Sequence, residues 1–203
     1  MQKLSKGLYL GWIIGGEVAG IFLIIVAVVL MVAAGVVTGI SEGKMNPASI
    51  GILGTGIFIM LVGMASTIVA AVFGYILLYK AWQAIQDGQP RTTPGKAVGF
   101  LFIPFFNFYW MFMAYWGYAK DFNTYIASKG LSLAQLPEKL YLAFPIVVLC
   151  SGIPYAVSIA GLAVIVIYII ISNQMIDGVN GIYNAKAMPA DVTPAEQSPT
   201  SSV

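Results

Sequence analysis

The chain has 203 residues, 59% of them apolar and only 9% charged, with ten Lys and Arg against eight Asp and Glu. A soluble domain carries about 25% charged residues, which excludes a water-exposed globule, and a net charge of +2 is too small and too dispersed for a nucleic-acid partner. With no histidine and a single cysteine, this chain alone cannot build bis-histidine haem, His-ligated zinc, copper or non-haem iron, an iron–sulfur cluster or an intrachain disulfide.

The apolar residues gather in uncharged runs: Val18 to Ser41, Met45 to Tyr79, Ala97 to Ala119 and Leu140 to Ile176. Each is long enough to cross a bilayer, which takes roughly 20 apolar residues. Residues 1–17 read as an interfacial lead-in, followed by a helix over 18–40. Lys3 and Lys6 ahead of this run, with Val32-Ala33-Ala34 inside it, imitate a cleavable signal. The run continues to Ile40, too long for a signal h-region, so a retained first helix is expected. Glu17 is either a carboxylate reaching the headgroups or an intramembrane proton or cation site. Gly11, Gly15, Gly16 and Gly20 form two small-xxx-small pairs of the kind that let helices approach closely in lipid.

After a short loop with Glu42, Lys44 and Pro47, a second helix is expected over 50–86. Gly88 is its expected C-terminal stop. Asp87 to Lys96 (DGQPRTTPGK) is turn chemistry. Its Gly95-Lys96 is not a phosphate loop, because Ala97 stands where Ser or Thr should hold magnesium.

The segment 97–119 differs from the other runs. Between Val98 and Tyr118 it holds six Phe, three Tyr and two Trp. Pro104 removes a backbone donor and Asn107 adds an amide. Such a composition suits a spanning helix kinked at Pro104, with the freed carbonyl bonded by the Asn107 amide or by a neighbouring helix. It equally suits a re-entrant or interfacial element with Ile103 to Asn107 as its tip. Lys120 to Lys139 is amphipathic, with Gly130 as a stop. The uncharged Leu140 to Met175 would run about 54 Å as one helix, too long for a single crossing. Ser151-Gly152-Ile153-Pro154 is expected to split it into helices over 137–151 and 154–180. Cys150 is expected to be a buried, inert thiol. Residues 184–203, rich in Pro and small polar side chains, read as a disordered tail, so the membrane domain covers 18–183.

Charge placement orders the topologies. Five spanning helices divide the Lys and Arg evenly between the two sides. Four helices with a re-entrant aromatic segment leave Lys44 alone on one side, and the positive-inside bias favours that arrangement. The expected fold is therefore an all-α integral membrane protein. It has about four transmembrane helices plus an aromatic re-entrant or interfacial segment, with five spanning helices as the alternative. A short echo, Tyr75-Ile-Leu-Leu with Trp82 and Gly88 against Tyr168-Ile-Ile-Ile with Met175 and Gly181, agrees with two helices leaving the membrane on one side. It is too brief to mark a duplication.

The stretch from Tyr79 to Asn123 carries a Pro-Gly-Lys-Ala-Val step, an Ile-Pro-Phe-Phe-Asn segment and a Tyr-Trp pair. It resembles an uncharacterised family of bacterial multi-pass membrane proteins, some of whose members carry a GYF-like domain ahead of the membrane part. The resemblance covers about a quarter of the chain. It implies a bacterial source and the inner (plasma) membrane, and carries over no activity and no site residue.

With no imidazole base for a Ser or Cys nucleophile, the chain is read as a non-enzyme with no cofactor. Asp121, Asn123, Glu138 and Lys139 fall near one interface, match no catalytic spacing and read as a solvated loop with juxtamembrane anchors. The expected role is a non-catalytic membrane subunit or scaffold. Its partners would be the lipid bilayer and other membrane protein subunits or further copies of itself, with both termini cytoplasmic. The alternative is a small oligomeric transporter or channel, with Glu17 and Asp177 as its titratable groups. Candidate functional or contact residues are Glu17, Pro104, Asn107, Trp110 and Asp177.

Overall fold

The computed structural model describes residues 3–40, 47–152 and 157–187, with side chains over 3–35, 47–152 and 160–187. The Glu42/Lys44 loop, the second half of the expected 151–154 turn and the tail from Met188 lie outside them. Among the described residues all regular secondary structure is helical, with no strand. Three helices, covering Lys6–Gly35, Pro47–Ala84 and Ala160–Ala187, are long and apolar enough to cross a membrane.

Helix α1 spans 6–40. It comprises Lys6–Leu10, a wider turn at Gly11–Gly15 and Gly16–Ile40 in one continuous rod. The helix thus starts at Lys6, not at Val18, and residues 6–17 are no separate lead-in. Ser5 caps it by accepting from the Leu8 amide at 3.4 Å. Tyr9 and Ile13 are buried on the face turned to the rest of the protein. That burial outweighs the poor helix propensity of Gly7, Gly11, Gly15 and Gly16.

Helix α2, Pro47–Ala84, runs antiparallel to α1. Their crossing is set by small residues. A Cβ built on Gly20 would stand 2.9 Å from the Gly63 carbonyl oxygen, and one on Gly56 3.3 Å from that of Ala27. Ser66 Oγ donates to the Gly16 carbonyl at 2.9 Å, adding a polar tie where the backbones approach. Of the two small-xxx-small pairs, Gly16/Gly20 makes the crossing, while Gly11 and Gly15 have open space where a side chain would go.

Gly88 is not the residue that turns the chain out of α2. A tight turn at Gln86–Gly88 follows the helix, and Gln89 takes the left-handed conformation at φ 58°. Gly88 is needed for packing, since a Cβ there would run into the Tyr125 ring.

The aromatic segment folds as two antiparallel helices. Helix α3, Pro94–Gly99, starts at N-cap Thr93 with Pro94 in its first turn and tightens through Phe100–Phe102. The chain reverses at 103–105, where Phe105 adopts φ 63°. Helix α4 returns over 106–128, with a wider turn at Phe112–Trp116. Three contacts hold the pair in register. Trp110 Nε1 donates to the Ala97 carbonyl at 3.1 Å. Phe100 meets Trp110 edge-on at 4.7 Å. At the base Arg91 bonds Asp121 through Nη2 at 2.6 Å, Nε at 2.8 Å and its backbone amide at 2.9 Å. Gly130, at φ 61°, ends α4 as expected of a left-handed stop.

Helix α5 is Glu138–Cys150 and α6 is Val157–Ala187, seven residues longer at its C-terminus than the sequence suggests. Cys150, at the end of α5, is exposed rather than buried; Val148 of the same turn takes the inward face. Both ends of the described chain meet at one end of the molecule. Asn180 accepts from the Leu4 amide at 2.7 Å and donates to its carbonyl at 3.0 Å, and Lys6 pairs with Asp177 at 2.9 Å.

The same end is tied by Asp87, which meets Lys186 at 2.9 Å, Lys129 at 3.7 Å and the Tyr125 hydroxyl at 3.3 Å. Desolvation raises the Asp87 carboxyl, but its bonds to Lys186, to its own backbone and to Tyr125 outweigh this and hold it below its ordinary value of 3.8. A lowered carboxyl contributes stability above its unfolded pKa and loses it as pH falls through the folded one. The side chain is 48% exposed, so Asp87→Asn should cost under about 1 kcal/mol at neutral pH. Thermal unfolding followed from pH 7 down to pH 2 should show that difference shrink as the pH falls below 3.8. A deficit unchanged across that range would mean that charge is not its source.

Candidate functional site

Every long element contributes to one cavity of about 260 Å³. α1 supplies Glu17, α2 supplies Tyr75, the hairpin supplies Asn107 and Tyr115, α5 supplies Phe144 and α6 supplies Tyr168. The rest of the lining is aliphatic, including Ala71, Leu101, Val148 and Val164.

Its depth follows from helix rise. Glu17 is eleven residues past Lys6, about 16 Å along α1, and Tyr168 is nine before Asp177, about 14 Å along α6. Lys6 and Asp177 are paired, so both measures start from the same polar end. The cavity therefore lies about 15 Å along the helices from the Lys6/Asp177 end, half of the roughly 30 Å that a spanning helix must cover.

Its polar atoms are short of partners. Asn107 Oδ1 is buried with no hydrogen bond. The expected bond from the Asn107 amide to the carbonyl freed by Pro104 is not made: that carbonyl, on Phe100, accepts from the Ile103 amide at 3.4 Å because the chain turns there. Among the described residues Glu17 has no ion-pair or hydrogen-bond partner. Tyr168 and Tyr75 line the same cavity as Glu17. Tyr168 can lie flat on α2 only because position 74 is glycine; a Cβ there would overlap its hydroxyl. Phe144 stacks on Tyr168 at 5.5 Å and meets the Tyr115 ring at 4.7 Å, giving the cavity a continuous aromatic wall.

Of the sequence candidates, Glu17 and Asn107 come together here. Trp110 is buried as the brace of the hairpin. Pro104 lies at the exposed tip. Asp177 is at the polar end, exposed and paired with Lys6. The juxtamembrane set is structural: Asp121 is held by Arg91, and Asn123 clips the following loop by donating to the Leu136 carbonyl at 2.9 Å and accepting from its amide at 2.8 Å. The tyrosines Tyr75, Tyr115 and Tyr168 were not among the candidates. The one signal for them was the echo that aligned Tyr75 with Tyr168, and the fold brings those two into the same cavity. The chain matches no protein-family model, no curated protein and no solved structure.

Proposed function

We propose that this chain is a non-catalytic subunit of a membrane protein assembly in the bacterial inner membrane. It crosses four times, with α5 as the short crossing, dips α3 and α4 into the bilayer as a re-entrant hairpin and keeps both termini in the cytoplasm. The basic residues Lys6, Arg91, Lys129 and Lys186 share one end of the bundle with the acids they bind, which supports that end as cytoplasmic.

The observation that carries the subunit role is the hairpin tip. Phe105 is 84% exposed and held at positive φ, a conformation costly for a bulky side chain. Phe102, Ile103, Phe108 and Tyr109 are exposed around it. The braces at Trp110 and Arg91 fix this apolar knob in place, so it meets another surface without reorganising. Native mass spectrometry after gentle extraction tests the role. The wild-type chain should leave the membrane with a foreign subunit at fixed ratio. Phe105→Gly, which relieves the positive φ, should lose that subunit while keeping its helicity and melting temperature. A wild-type chain that comes out alone, or a partner that stays on the variant, would sink the reading.

A second reading, a small oligomeric transporter or channel, is favoured by the meeting of Glu17 and Asn107 in one cavity. It differs in requiring net flux through the reconstituted chain.

A further inference from the structure

We infer that the cavity beneath the hairpin is a binding site for a small protonated amine. The inference is independent of any partner subunit. An unpaired carboxylate in an apolar cavity is costly unless a cation or a proton meets it. No Lys or Arg lines the cavity beside Glu17. Asn107 Oδ1 is an acceptor without a donor, so the missing group brings N–H or O–H hydrogens as well as positive charge. An ammonium with free N–H groups satisfies Glu17 and Asn107 together, where a quaternary ammonium would leave the amide oxygen unpaired. The wall of Tyr115, Phe144 and Tyr168 offers π-faces, which attract such a cation most strongly when water is excluded. Tyr75 and Tyr168 add hydroxyl-bearing side chains to the same lining. A hard metal cation is a poorer match, since it takes six or more oxygen ligands and this lining is mainly carbon. The volume of about 260 Å³ lies below the roughly 300 Å³ at which drug-sized pockets begin. The amine is therefore small, either free or the headgroup of an aminophospholipid.

The test is titration calorimetry on the full chain in nanodiscs made only of phosphatidylglycerol, with n-butylamine at neutral pH as probe and n-butanol as its uncharged counterpart. Saturable binding of the amine and none of the alcohol are expected. Glu17→Gln should weaken the amine by about tenfold or more, and Asn107→Leu by several-fold, in keeping with lost charge-assisted and neutral hydrogen bonds. Glu17→Asp should recover part of the loss. Each variant is first shown to keep the wild-type melting temperature, and Ile57→Ala, at an exposed position outside the cavity lining, serves as the binding-competent control; should Glu17→Gln fail to fold, the wild-type titrations against n-butanol and sodium still decide. Repeating the titration with phosphatidylethanolamine in the disc identifies the source. Competition names the lipid headgroup, and unchanged affinity names a free amine. The inference is overturned if the folded wild-type chain shows no saturable amine binding, if n-butanol binds as well, if Glu17→Gln binds normally, or if sodium displaces the amine at equal concentration.

Discussion

Trp82→Ala should destabilise the protein by about 3–5 kcal/mol, the range for emptying a large aromatic site in a core. Trp82 is 0% exposed and stands where α2 meets α4. Its ring packs against Tyr118 at 5.6 Å and its Nε1 donates to the Ala114 carbonyl at 3.0 Å. That carbonyl lies in the wider turn of α4, where the helical ladder is already stretched. Truncation would leave both a void and an unpaired acceptor. Melting in detergent, followed by circular dichroism, measures the loss. Trp12→Ala removes a tryptophan that is 46% exposed and should melt close to the wild type. Trp82→Phe restores most of the volume without the donor and should fall between. If Trp82→Ala melts with Trp12→Ala, the α2–α4 contact is not holding the bundle.

The second large effect is expected from Gly63→Val. A Cβ on Gly63 would stand 2.9 Å from the Gly20 carbonyl oxygen and 3.0 Å from Ile24 Cγ1. The nearer obstacle is backbone, which cannot swing aside as a side chain would, so α1 and α2 must separate. Overpacking of this kind costs about 1–3 kcal/mol. The added consequence is positional, because Glu17 lies one turn from Gly20 on α1 and would be carried away from the cavity. Gly51→Val, on the same helix with open space around it, carries the same propensity change and isolates the packing effect. Lower melting for Gly63→Val than for Gly51→Val is the expected outcome. Equal melting would mean the crossing tolerates a side chain.

Much of the helical framework is legible in the sequence because lipid leaves a coarse signature. Runs without charge mark α1, α2 and α6, and Gly130 marks the end of α4. The start of α1 is not legible, since four glycines argue against helix and the argument for it, burial of Tyr9 and Ile13, is tertiary. Pro104 and Asn107 flag the aromatic segment as unusual. That it doubles back depends on Arg91 finding Asp121 and Trp110 finding Ala97, pairings no periodicity encodes. Glu17 and Asp177 look alike in sequence, one acid beside each apolar run. The fold separates them: Asp177 lies beside Lys6, whereas Glu17 lies about 16 Å farther along the same helix. The cavity itself is invisible in one dimension, because its polar groups come from four helices and only the Tyr75/Tyr168 echo hinted at convergence.

The clasp between Leu4 and Asn180, with Lys6 on Asp177 beside it, bears on how the molecule is made. These partners are separated by 176 and 171 positions, close to the greatest separation the chain allows. During synthesis α1 and α2 emerge first and can seat their glycine crossing in the bilayer as a finished pair. Leu4 must then wait, its amide and carbonyl turned toward water, until Asn180 has been made. Closure thus comes after the glycine crossing, and a nascent chain stalled before Asn180 would hold an assembled first half with an open door at that end.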